Sequence, residues 1–164
     1  MKIKAKLLIK TLNLQPHPEG GYFHEIFRSD IEIHHLSENN FRNLATSIYF
    51  LLNESQVSTF HQLTSDELWY FHIGCAVRIY MIGLSGNLEI KILGTDTESG
   101  EFPQVLIPAG TLFGAELTDK RSFALMGCVV SPGFDFRDFM IIPKAELLNR
   151  YARYKKIINK LTPK

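Results

Sequence analysis

Between residues 20 and 142 the apolar positions fall in short runs that alternate with polar ones. In "GYFHEIFRS", Tyr22, His24, Ile26 and Arg28 alternate with Phe23, Glu25 and Phe27, which predicts a strand with two unlike faces. "ATSIYFLL" is mostly apolar and predicts a strand of buried character. "STFHQLT", "ELWYFHIG", "CAVRIYMIG", "LEIKILG", "FPQVLIP", "TLFGAEL", "FALMGCVVS" and "FDFRDFMII" are further short β segments. The turn signals "SGN", "TESGE", "PAG", "TDKR" and "SPG" separate them. So many short strands at this spacing predict an all-β sandwich or barrel.

The ends of the chain follow a different period. Ile3, Leu7 and Leu8 stand near helical spacing with lysines opposite, and Pro16 and Pro18 close that helix. Gly20–Gly21 allows a tight turn into the first long strand. After Pro143, the residues Leu147, Leu148, Tyr151, Tyr154, Ile158 and Leu161 predict one amphipathic helix over residues 143–161, laid on the outside of the β core.

Composition narrows the function classes. The 164 residues suit one domain, with the β core at about 20–142. A net charge of +1 gives no electrostatic case for nucleic acid. No run approaches the ~18 apolar residues of a membrane helix. No secretory signal is read, so a cytoplasmic protein is expected. Cys75 and Cys128 are too far apart for a metal or redox motif and are expected to be reduced and buried.

The chemistry concentrates in "FHQLTSDELWYFHIG", residues 60–74. Strand alternation puts Thr59, His61 and Leu63 on one face. It likewise groups Glu67, Trp69, Phe71 and Ile73, with His72 turned away. His61 and Glu67 then point into one cavity. Such a pair suits a metal, or a general base oriented by a carboxylate, or a hydrogen-bonded pair that only satisfies buried groups. Tyr49, Thr46 or Ser47, Trp69, Phe113 and Cys128 are candidate neighbours in the cavity. Tyr22, Glu25 and Arg28 come from the first strand, and Arg28 could grip a phosphate or carboxylate. Asp135 and Asp138 follow a Pro–Gly turn and are expected to cap or to pair with Arg137.

His61, Glu67 and Gly74 stand at the spacing of the first histidine, the glutamate and the closing glycine of the first cupin motif. Pro108 and Gly110 match the second motif. "LQPHPEGGYFHEIFRS", "STFHQLTSDELWYFHIG", "PQVLIPAGTLFGA" and "GCVVSPGFDFRDF" together resemble the small single-domain Cupin_5 family over about Leu14 to Phe139. The resemblance implies a cupin barrel (double-stranded β-helix, or jelly-roll) with short terminal helices. It also implies a homodimer through edge strands. Two usual metal ligands are replaced, by Leu63 and Phe113, so His61 and Glu67 are at most weak metal candidates and no cofactor is expected. Three activities are compatible with these residues. One is a metal-independent sugar epimerase or isomerase, with His61 as base, Glu67 orienting it, Tyr49 as acid and Arg28 steadying an enolate. Another is a non-catalytic binder of an aromatic or heterocyclic molecule held between Trp69 and Phe113. The third is a metal-dependent dioxygenase or decarboxylase that recruits His17, His24 or Glu25.

Overall fold

A computed structural model describes residues 4–35 and 40–162. Helix α1 (Ala5–Thr11) leads into β1 (Gln15–Pro16), β2 (Tyr22–Arg28), β3 (Glu32–His35), β4 (Asn40–Asn43), β5 (Thr46–Asn53), β6 (Val57–Gln62) and β7 (Asp66–Gly74). Then follow β8 (Val77–Ile82), β9 (Leu88–Leu93), β10 (Gln104–Ile107), β11 (Leu112–Leu117), β12 (Phe123–Ser131) and β13 (Met140–Ile141). Helices α2 (Lys144–Arg150) and α3 (Lys155–Leu161) end the described chain. Among the described residues no helix is long and apolar enough to cross a membrane.

The larger sheet runs β1-β2-β5-β12-β7-β10 and the smaller β13-β6-β11-β8-β9; β3 and β4 form a separate hairpin. The two sheets pack as a β-sandwich, in place of the closed barrel that the cupin resemblance implies. The seam between β9 and the approach to β10 carries an isolated bridge, Leu93 to Phe102, and no continuous ladder. Inward side chains such as Phe50, Leu52, Trp69, Ile79, Met81, Phe113 and Met126 fill the space between the sheets.

The outer faces are apolar too, because helices cover them. Helix α1 lies on the larger sheet over Leu51 and Leu125, joined there by Tyr22, Tyr49 and Ile73. The C-terminal helices cover Phe60, Tyr80, Ile82 and Leu112 with Leu147, Ile158 and Leu161. The predicted single helix over 143–161 is broken at Tyr151 by a short 3-10 turn, Ala152–Tyr154, and Pro143 caps it from outside. The break lets the chain follow the β8–β9 turn. There the Leu88 amide donates to the Tyr154 hydroxyl at 2.9 Å, and Arg153 donates to the Gly86 carbonyl at 2.6 Å.

Three β-bulges overturn the simple alternation. In β2 the extra residue is Ile26, so Arg28 shares the inner side with Phe23 and Glu25, where regular alternation groups it with Tyr22, His24 and Ile26. In β6 the register slips between Ser58 and His61, which turns both inward; Thr59 is not on the His61 face. In β7 the slip falls at His72, so Phe71 joins the inner core while Ile73 joins the outer cluster. Cys128 is buried and free, and Cys75 is half-buried and free.

Candidate active site

A cavity of about 320 Å³ opens between the sheets. Its walls come from β2 (Phe23, Glu25, Arg28), β5 (Thr46, Ile48, Phe50), β7 (Glu67, Trp69) and β12 (Cys128, Val130). His61 and Leu63 close it from the smaller sheet. The turn after β1 contributes His17 and Glu19, and the segment after β12 caps it with Phe134, Asp135, Phe136 and Phe139.

Glu19 reaches the cavity because two glycines follow it. A Cβ on Gly20 would stand 2.2 Å from the Val57 carbonyl, and one on Gly21 would stand 2.6 Å from that of Leu51. Both glycines also have positive φ, 108° and 70°. The turn is therefore pressed onto β5 and β6, and the Thr59 amide donates to the Glu19 carbonyl at 2.8 Å.

His61 is 2% exposed. Its Nδ1 lies 2.7 Å from the Thr59 carbonyl, which can only accept, so Nδ1 carries the proton. That leaves a lone pair on Nε2, which faces Glu19 Oε2 at 3.3 Å. The other Glu19 oxygen accepts from the Ser58 hydroxyl at 2.8 Å. His17 Nδ1 lies 3.4 Å from Glu19 Oε2. Burial raises Glu19 to about 8, with Ser58 pulling the other way. Burial lowers His61 to about 4 against the pull of the Thr59 carbonyl. Burial, and then the His61 charge, lower His17 to about 4. Near neutral pH the three groups are uncharged, and the geometry is that of a carboxylic acid donating to an imidazole nitrogen.

Glu67 stands apart from this chain. Burial, and then the nearby Glu19 charge, raise it to about 8 against the opposing pull of Trp69 and Cys128. The indole N–H does not close a well-formed bond to it: Glu67 Oε2 and Trp69 Nε1 are both buried without a hydrogen-bond partner among the described residues. The Cys128 thiol is held well above its ordinary value by burial and by Glu67, so it is no ready nucleophile.

Several expected roles move. Glu67 does not orient His61; Glu19 does. Tyr49 and Tyr22 lie on the outer face under α1, because Thr46, Ile48 and Phe50 take the inward positions of β5 and the Ile26 bulge resets β2. Phe113 packs against the His61 ring at a centroid distance of 4.0 Å and backs it from the core. Arg28 lines the mouth but is engaged: it donates to both Glu25 oxygens at 2.9 and 2.7 Å, to Asn43 at 2.8 Å and to the Phe134 carbonyl at 3.1 Å. Asp135 pairs with Arg137 as expected, whereas Asp138 forms a buried bidentate pair with Arg42 at 2.7 and 2.8 Å. That pair ties the aromatic cap to β4.

The residues do not fit a cupin metal centre. The two further positions that would supply ligands are hydrocarbon, Leu63 on the cavity wall and Phe113 against the His61 ring. Among the described residues no group of three or more His, Cys, Asp or Glu is placed to hold a metal ion.

Residues 6–142 match the family described as Cupin_5, cupin superfamily (DUF985). The chain belongs to this family. It is 31% identical over 144 residues to the uncharacterized protein YML079W of Saccharomyces cerevisiae, covering 80% of this chain and 71% of that one. Among solved structures, protein SO0799 from Shewanella oneidensis superposes with a TM-score of 0.91 at 42% identity over 99% of both chains. A hypothetical protein from Leishmania major superposes with a TM-score of 0.93 at 33% identity, over 99% of this chain and 100% of that one. The fold alone extends to Bacillus subtilis oxalate decarboxylase, with a TM-score of 0.56 at 17% identity.

Proposed function

We propose that this Cupin_5 protein binds a small ring-shaped molecule between its sheets and moves protons on it, as an isomerase or epimerase without a metal. The observation that carries the reading is the chain from the Thr59 carbonyl through His61 to Glu19. A fixed tautomer leaves Nε2 as the one acceptor nitrogen, and it shares the proton of the neutral Glu19 carboxylic acid beside it. Both are buried in a cavity with apolar walls, where proton transfer meets little competition from water. Glu67, the second buried carboxyl of the cavity, serves as the partner acid or base for the other side of the substrate. A volume of about 320 Å³ lies at the small end of ligand pockets and suits one ring or a fused pair.

The test is deuterium wash-in. Keto-sugars and cyclic carbonyl compounds are incubated with the protein in heavy water and followed by proton NMR. A substrate should gain carbon-bound deuterium, with the rate reduced about 10²- to 10⁴-fold in His61→Ala and in Glu19→Gln. A molecule that binds in the cavity yet exchanges no carbon-bound proton would reject catalysis. It would favour a second reading, a binding protein for an aromatic ring, which the walls of Phe23, Phe50, Trp69 and Phe139 support.

A further inference from the structure

We infer that the cavity selects small ring compounds bearing a positively charged nitrogen, whose ammonium-type group sits against Glu67 and Glu19. This rests on the cavity being a ligand site, but not on its catalysing proton transfer.

The first observation is a shortage of positive charge. Two buried carboxyl groups, Glu19 and Glu67, line the cavity, and among the described residues no lysine or arginine other than Arg28 lines it with them. Arg28, at the mouth, is spent on Glu25, Asn43 and Phe134. Asp135, at the same mouth, is spent on Arg137. The other titratable groups facing the carboxyls are His17 from the turn, His61 from β6 and Cys128 from β12, none of them a standing cation. A buried carboxylate without a counter-charge is costly, so both carboxyls hold their protons near neutral pH. An organic cation can take their place.

The second observation is independent of charge counting. Glu67 is 7% exposed, lines the cavity, and has an oxygen with no hydrogen-bond partner among the described residues. Buried polar atoms are seldom left so, and the neighbouring indole N–H of Trp69 does not reach this one in bonding geometry. An ammonium N–H supplies that donor together with the missing charge.

The third is the material of the walls. Phe23, Phe50, Trp69, Phe134, Phe136 and Phe139 surround the space. Aromatic faces attract cations as well as stacking on rings. An anion gains nothing here, because it would meet two carboxyls and the same negative ring faces.

The experiment is isothermal titration of the whole protein with three probes of one shape: benzylammonium, benzyl alcohol and benzoate. Each is measured at pH 6.5 and pH 8, one below and one at the carboxyl value of about 8. Benzylammonium should bind about tenfold or more tightly than benzyl alcohol, and benzoate weakest. Its advantage should grow at pH 8, and at pH 6.5 its binding should release protons to the buffer. Glu67→Gln, checked for folding by thermal melting, should lose most of the preference while still binding benzyl alcohol. Benzyl alcohol or benzoate binding as tightly as the cation overturns the inference and leaves the ligand site standing. Binding of none of the three overturns both. One equivalent of zinc or manganese that displaces benzylammonium would assign the carboxyls to a metal and overturn it as well.

Discussion

Stability should depend on pH in an unusual direction, and Glu67→Gln tests why. Glu19 and Glu67 ionise near 4.5 when the chain is unfolded and near 8 when it is folded. The folded state therefore holds protons that the unfolded state has released, and stability falls as pH rises from 4.5 to 8. Each carboxyl contributes a slope of about 1.4 kcal/mol per pH unit. His17 and His61 act the opposite way: they ionise near 6.5 unfolded and near 4 folded, so they add stability as pH rises from 4 to 6.5. Two carboxyls and two imidazoles nearly cancel between 4.5 and 6.5, which gives a plateau. From 6.5 to 8 only the carboxyls act, and the loss over that window is about 4 kcal/mol for the pair. Glu67→Gln keeps the shape but cannot ionise, so its loss over the same window should be about 2 kcal/mol. Urea unfolding followed by fluorescence of Trp69, the single tryptophan, which lines the same cavity, measures both proteins. A wild-type protein whose stability stays level from pH 6.5 to 8, or a Glu67→Gln protein that falls as steeply as wild type, would refute the reasoning.

Gly20→Ala should destabilise the fold by about 2 kcal/mol or more in the same assay, because its Cβ would meet the Val57 carbonyl at 2.2 Å from a backbone with φ of 108°. It should also weaken any cavity ligand, since Glu19 rides on that turn. Arg42→Ala should cost about 3–5 kcal/mol by leaving Asp138 buried without its partner, and limited proteolysis should then cut the cap around Phe134–Phe139 faster. Tyr49→Phe should leave wash-in rates within about twofold of wild type, since that ring packs outside the larger sheet.

The fold class was legible because strand length and turn chemistry are local properties. "ATSIYFLL" reads as a strand of buried character, and in β5 one of its two sides proves to be the seat of α1. His61, Glu67, Thr46, Glu25, Arg28, Trp69 and Cys128 were assigned to a cavity from the sequence, and the structure brings them to one. Tyr49 was misplaced because two-sided burial hides which face is inner. Thr59, Ile26 and Ile73 were misplaced because each lies at or beyond a bulge, and one extra residue reverses every later position in a strand. Glu19 was missed because a carboxylate before Gly–Gly reads as a surface turn. The available signal was the doubled glycine itself, which permits a backbone approach too close for any side chain.

The order of strands in the larger sheet has a consequence for how the protein is made. Strand β12 occupies the centre, between β5 and β7, yet it is synthesised long after both. Until residues 123–131 emerge from the ribosome, β5 and β7 each present a bare edge to other chains. Pairings this distant in sequence close slowly, in the range of milliseconds to seconds. The nascent chain therefore passes through a sticky interval whose length is set by translation. Overproduction at high temperature should yield inclusion bodies, and slower synthesis in the cold should yield folded protein.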